Sequence, residues 1–200
     1  MDKTKTVLNH FKKHDPVMFS MAKRLGIQEI KPQKPNYYFY SLCYAIIGQQ
    51  LAGSAAKAIF ARFERLFPDG KITPERAAKL KEKQISGIGT SWAKAGYIID
   101  LGQKVSGGML DLKAIAKMEN RQAIESLTQV KGIGPWTAEM FLMFTMGRED
   151  VFSHGDLGLQ KAIMKHYGVK DRKKVERIAA KWSPYRTYAC RTLWKSLDSS

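Results

Sequence analysis

Apolar residues recur along this chain at intervals of three and four. Between residues 54 and 67, Ala55, Ile59, Phe63 and Leu66 fall on one face of a helix, and Lys57, Arg62, Glu64 and Arg65 lie off it. Near the C-terminus Val175, Ile178, Ala179 and Trp182 form a second stripe, with Lys174, Arg177 and Lys181 on other faces. No stretch sustains the period-two alternation of a strand between hairpin signals. Starts and stops agree with the period. Asp15-Pro16 places an N-cap before a proline at N1, opening a helix that stops near Gly26; Thr73-Pro74, followed by Glu75, repeats the signal; Ser54 is the expected cap of the next example. The pattern predicts helices over 5–13, 16–25, 37–48, 54–67, 74–82, 91–106, 120–127, 135–146, 157–167, 172–182 and 185–196. Connections as short as Gly87-Ile88-Gly89 and Ser183-Pro184 fit an all-α, compact, two-lobed helical bundle with a cleft between the lobes. With no low-complexity linker, residues 1–200 read as one unit of two interleaved lobes.

Charge narrows the partner. The chain has 34 Lys and Arg against 18 Asp and Glu, a net charge of +16, which points to nucleic acid, anionic lipid or an acidic protein. A 44% hydrophobic content argues for a packed core and against a disordered basic tail. Cys43 and Cys190 are too few for a disulfide framework, a four-cysteine zinc site or a cysteine-ligated iron–sulfur cluster. No apolar run reaches the roughly 18–20 residues of a bilayer span, and the N-terminal residues lack the apolar core of a secretory signal. The expected compartment is therefore intracellular and reducing. The basic excess is densest in residues 157–200, whereas residues 121–156 hold three basic residues against five acidic.

That mildly acidic stretch contains the most informative segment, Leu127-Thr128-Gln129-Val130-Lys131-Gly132-Ile133-Gly134-Pro135-Trp136-Thr137-Ala138. A short helix ends, two glycines permit a tight turn with positive φ and close backbone approach, and Pro135 starts the next helix at N1. The hairpin spans about residues 120–146. Amide N–H groups at such a helix start hold a phosphate oxygen without side-chain charge, and carbonyls ending the first helix can coordinate a monovalent cation. A plain αα turn uses the same residues, and the segment alone leaves the two readings level. A weaker echo, Ile85-Ser86-Gly87-Ile88-Gly89-Thr90-Ser91-Trp92-Ala93, reads as a second glycine-bearing helix junction and carries no assigned function.

Downstream comes Val151-Phe152-Ser153-His154-Gly155-Asp156. Together the two segments resemble the helix-hairpin-helix of the base-excision DNA glycosylase superfamily, in which the hairpin is followed by a Gly/Pro-rich stretch and a catalytic aspartate. Asp156 stands 20 residues after Trp136, a spacing similar to that of the alkylation branch, the DNA-3-methyladenine glycosylase type. The resemblance extends over residues 36–197, through Ile46-Ile47-Gly48-Gln49-Gln50-Leu51 and Trp182-Ser183-Pro184-Tyr185-Arg186-Thr187-Tyr188-Ala189.

It implies Asp156 as the catalytic carboxylate, although by its residues alone Asp156 reads first as the N-cap of the helix from Leu157. It also implies Trp136 and Tyr185 in a base pocket, with Met140 where close relatives have an aromatic residue, and Leu51 as the wedge that fills the gap left by a flipped base. The amides of Gly132, Gly134 and Thr137 would bind phosphate, and the carbonyls of Thr128, Val130 and Gly132 would hold Na+ or K+; no cofactor is required. Bifunctional relatives carry a Schiff-base lysine where this chain has Trp136, and iron–sulfur relatives need four cysteines where it has only Cys190. His154 reads as a structural loop histidine. The resemblance thus implies a monomeric, monofunctional hydrolase acting on alkylated bases in duplex DNA, 3-methyladenine-like lesions and 7-methylguanine, with no membrane partner. It would work in the cytoplasm of a prokaryote or the nucleus of a eukaryote. The alternative is a noncatalytic helix-hairpin-helix module for DNA binding or damage recognition, which has no need of Asp156.

Overall fold

The computed structural model describes residues 2–198. Its helices are α1 (Lys3–His14), α2 (Pro16–Leu25), α3 (Tyr38–Gly48), α4 (Gly53–Glu64), α5 (Pro74–Ala77), α6 (Glu82–Ser86), α7 (Trp92–Ser106), α8 (Leu112–Ile115), α9 (Asn120–Leu127), α10 (Pro135–Met140), α11 (Leu157–Tyr167), α12 (Arg172–Ala180) and α13 (Arg186–Asp198). Among the described residues there is no strand, so the all-α expectation holds, and no helix is long and apolar enough to cross a membrane. The chain divides into two compact units, Met1–Pro32 with Leu142–Ser200, and Gln33–Phe141.

In the first unit α2 packs on α1 and α13, and α13 on α11. Val7, Phe11, Met18, Trp182, Cys190 and Leu193 are fully buried there. Their centre is polar. Asp15 caps α2 by accepting from the Met18 amide at 3.0 Å, and its other carboxylate oxygen accepts from Trp182 Nε1 at 2.8 Å and the Tyr167 hydroxyl at 2.9 Å. Burial, with the Asp15 charge beside it, pushes the Tyr167 phenol well above its ordinary range.

In the second unit α7 packs against α3, α5 and α6, and α9 against α10. Leu42, Ile46, Phe63, Ile98, Leu101 and Leu127 are fully buried.

Helices α2, α9 and α11 begin and end where the sequence predicts. Elsewhere local chemistry redraws the boundaries. The helix expected over 74–82 is two short ones, because Gln84 Oε1 accepts the Lys81 amide at 2.8 Å and starts α6 afresh. Helix α8 was not anticipated; its Asp111 cap, accepting from the Lys113 and Ala114 amides at 2.8 and 3.1 Å, is the signal that could have found it. Ser54 is not a cap: α4 starts at Gly53, with Ala52 at the N-cap. The helix expected over 135–146 leaves α-geometry after Met140 for a π-helical turn, Phe141–Thr145.

Candidate active site

The hairpin in the second unit is α9, a turn over residues 128–134, and α10. Gly132 sits at φ +79°, and a Cβ there would overlap the ring of Tyr97 on α7. Both the left-handed backbone and the close approach therefore require glycine. Gly134 differs: its backbone is extended (φ −87°, ψ 174°), and a Cβ would meet nothing within 4 Å. The expectation that both glycines serve the turn is corrected accordingly, since Gly134 only leaves the approach to α10 bare. The first helical bond runs from the Ala138 amide to the Gly134 carbonyl at 3.0 Å, so the Thr137 amide precedes it.

Two outside side chains hold the turn by hydrogen bonds. Asp100 on α7 accepts the Lys131 amide at 2.9 Å and pairs with Lys104 at 2.5 Å. Burial opposes its ionisation, but the Lys104 ammonium and the Lys131 amide prevail and keep its pKa below the usual range. Gln49, just past α3, donates from Nε2 to the Gly132 carbonyl at 2.8 Å and more weakly to Thr137 Oγ1 at 3.4 Å.

Gln49 also begins the Leu51 turn. Lys94 Nζ donates to the carbonyls of Ile47 at 2.8 Å and Gln49 at 2.6 Å, placing a cation at the C-terminal end of α3 where the helix dipole favours it. Burial lowers the pKa of this lysine. Gln50 then adopts a left-handed backbone, φ +59°, and Leu51 stands 38% exposed rather than buried. The hairpin and the Leu51 turn are thus tied through one side chain, Gln49. Trp136, on the first turn of α10, is exposed and Met140 half-buried.

Asp156 lies in the first unit and is 8% exposed. It is the N-cap of α11: Oδ1 accepts the Leu159 amide at 2.7 Å and also the indole Nε1 of Trp194 at 2.8 Å. Gly158 makes room for this pair, since a Cβ at 158 would lie 3.1 Å from both Asp156 Oδ1 and Trp194 Cδ1. The Trp194 ring lies 5.8 Å from that of Phe144, over which sits the Arg191 guanidinium. The half-buried Tyr185 has His10, Tyr188 and the Lys3 ammonium around its ring. His154 is exposed, its ring against Phe152, and desolvation lowers its pKa. Sequence reasoning missed Tyr97, Asp100, Gly158 and Trp194, of which only Gly158 adjoins in sequence the residue it supports.

No cluster of three or more His, Cys, Asp or Glu suited to a metal occurs among the described residues. Backbone oxygens are the remaining donors. In the hairpin turn the Val130 carbonyl accepts the Ile133 amide at 3.1 Å and the Gly132 carbonyl accepts Gln49, each using one of its two lone pairs.

Residues 43–185 match the HhH-GPD superfamily of base excision DNA repair proteins. The DNA-3-methyladenine glycosylase of Saccharomyces cerevisiae is 32% identical over 219 residues, covering 98% of this chain and 72% of that protein. Among solved structures, the DNA-3-methyladenine glycosidase of Bacillus halodurans superposes with a TM-score of 0.84 at 38% identity, covering 95% of this chain and 88% of that one. The Schizosaccharomyces pombe 3-methyladenine DNA glycosylase Mag1, solved in complex with abasic DNA, superposes with a TM-score of 0.81 at 27% identity, covering 96% and 97%. With its hairpin and its buried aspartate in place, and with these similarities in sequence and fold, the chain belongs to the HhH-GPD superfamily of base excision DNA repair proteins, in its DNA-3-methyladenine glycosylase branch.

Proposed function

We propose that the protein flips alkylated bases, 3-methyladenine-like and 7-methylguanine, out of duplex DNA and hydrolyses their N-glycosidic bonds, leaving an abasic site for base excision repair. The observation that carries this reading is the buried Asp156 carboxylate, fixed through Oδ1 by an amide and an indole N–H in a chain of this family. Departure of the base gives the sugar oxocarbenium character, and a fixed carboxylate stabilises that charge and orients or deprotonates the attacking water. Alkylation at N3 or N7 makes a purine cationic, so the base is already a good leaving group and is attracted to aromatic faces. Trp136 and Tyr185, with Met140, are assigned to its pocket. The Gly132, Gly134 and Thr137 amides grip a phosphate near the lesion, and the diffuse charge of +16 supplies salt-dependent, sequence-independent affinity.

The carbonyls of Thr128, Val130 and Gly132 are assigned to Na+ or K+. Neutral oxygen donors with no carboxylate suit a monovalent ion better than Ca2+, whose sites include carboxylates; bound there, the ion would add positive charge beside the phosphate.

The test is incubation with methylated duplex DNA, with a no-enzyme control. Wild-type protein releases methylated bases, and borohydride traps no protein–DNA adduct, since Trp136 offers no amine. Binding of damaged DNA without release would leave only a recognition module, and a trapped adduct would replace hydrolysis with a lyase route.

Leu51 gives a separate prediction. Extrusion costs a few kcal/mol in lost stacking and pairing, which an apolar wedge offsets. Leu51→Ala should slow release from paired duplex by about tenfold, the equivalent of roughly 1.4 kcal/mol, with a smaller effect on a lesion opposite an abasic gap. Equal slowing on both substrates would remove Leu51 from the wedge role.

A further inference from the structure

A groove of about 580 Å³ runs between α11, the loop after it and α12, within the first unit. Leu157, Met164, Val169 and Val175 form its apolar lining; Leu157 is 68% and Met164 40% exposed, large for such side chains. Lys161, Lys165 and Lys170 also line it, and no carboxylate does. Leu157 and Met164 lie about two helical turns apart on α11, so an occupant of the groove meets apolar side chains and lysines together.

We propose that this groove docks an acidic amphipathic helix of a partner protein. A helix fits because its apolar stripe can enter the groove while carboxylates on its flanks meet the three lysines. DNA matches only half of the surface: phosphates pair with lysines, but a duplex backbone has no apolar face to cover Leu157 and Met164. A second copy of this chain matches the other half alone, since each copy carries +16 and like charges oppose the approach. Met164 suits a recognition surface, because an unbranched thioether adapts to different neighbours. The groove begins at Leu157, the residue after Asp156, so an occupant would lie beside the helix that carries the proposed catalytic group.

The experiment uses the full chain and two labelled peptides of identical Glu, Leu and Ala composition. One has its leucines at helical i, i+3, i+4, i+7 spacing, the other has them scattered round the helix. Fluorescence anisotropy at physiological salt should show the first binding at least about tenfold more tightly. Met164→Gln and, independently, Val175→Ser should abolish that preference while release of methylated bases from duplex DNA continues at the wild-type rate. Equal binding of both peptides to wild type, which is attraction by charge alone, would overturn the proposal. So would a preference that survives both substitutions, or a tenfold loss of DNA binding in both, which would assign the groove to DNA.

Discussion

Asp156→Asn should lower the rate of base release by about 10²–10³-fold or more, the range seen when a preorganised electrostatic group is removed, while affinity for methylated duplex DNA stays within a few-fold of wild type. The reason for choosing asparagine lies in the cap. Asp156 Oδ1 accepts from the Leu159 amide and from Trp194 Nε1, and an asparagine carbonyl can accept both. Asn and Asp are comparable N-caps, so α11 should keep its start and the thermal midpoint should move little. What asparagine lacks is the negative charge. A structural cap would tolerate the change and a catalytic carboxylate would not, so single-turnover release measured beside a melting curve separates the two roles. Unchanged release would refute catalysis by Asp156; a collapse of stability with the loss of release would leave only the structural role.

Trp194→Phe grades the same argument. It keeps a ring against Phe144 and removes the donor at 2.8 Å from the carboxylate. A hydrogen bond to a charged group is worth about 1.5–3 kcal/mol, so kcat should fall by roughly tenfold or more while KM for DNA is little changed. If kcat is unaffected, the indole serves only packing.

The contrast between these two residues shows what a single sequence carries. Asp156 was legible because its signals are local: an Asp one residue before a helix, at a recognisable distance after a Gly-Ile-Gly-Pro turn. Trp194 lies 38 residues away in the chain, and nothing adjacent to it announces an indole N–H pointing at Asp156. The hairpin divides in the same way. Pro135 and the two glycines mark it, but only backbone geometry separates Gly132, pinned by Tyr97 and a positive φ, from Gly134, which has open space above it. The π-turn over Phe141–Thr145 leaves no mark either, because its residues, Phe-Leu-Met-Phe-Thr, satisfy a helical period equally well. Helix content and the order of landmarks follow from local rules; the partners that hold them follow from tertiary contacts.

Asp15 extends that lesson to stability. Its sequence signal is an N-cap before Pro16, for which replacement by alanine costs typically about 1 kcal/mol. In the fold it does more. The side chain is 3% exposed and accepts from the Met18 amide, from Trp182 Nε1, 167 residues distant, and from the Tyr167 hydroxyl. Asp15→Ala would leave three donors without their acceptor, at about 1–3 kcal/mol for each one that stays buried. The expected loss is roughly 3–5 kcal/mol, a large share of the ~5–15 kcal/mol that holds a typical protein folded. In a chain of this size that lowers the thermal midpoint by on the order of 10 °C. Asp15→Asn should fall between, because an asparagine has one carbonyl oxygen for two sets of donors. If that oxygen serves Trp182 and Tyr167, the NH2 faces the Met18 amide; turned the other way, the NH2 faces the indole, which cannot accept. Tyr167→Phe removes a donor together with its need for an acceptor and should cost least, about 1 kcal/mol. Urea unfolding of the three variants should therefore rank Ala as least stable, then Asn, then Phe. A midpoint for Asp15→Ala no lower than that of Tyr167→Phe would reduce Asp15 to an ordinary cap.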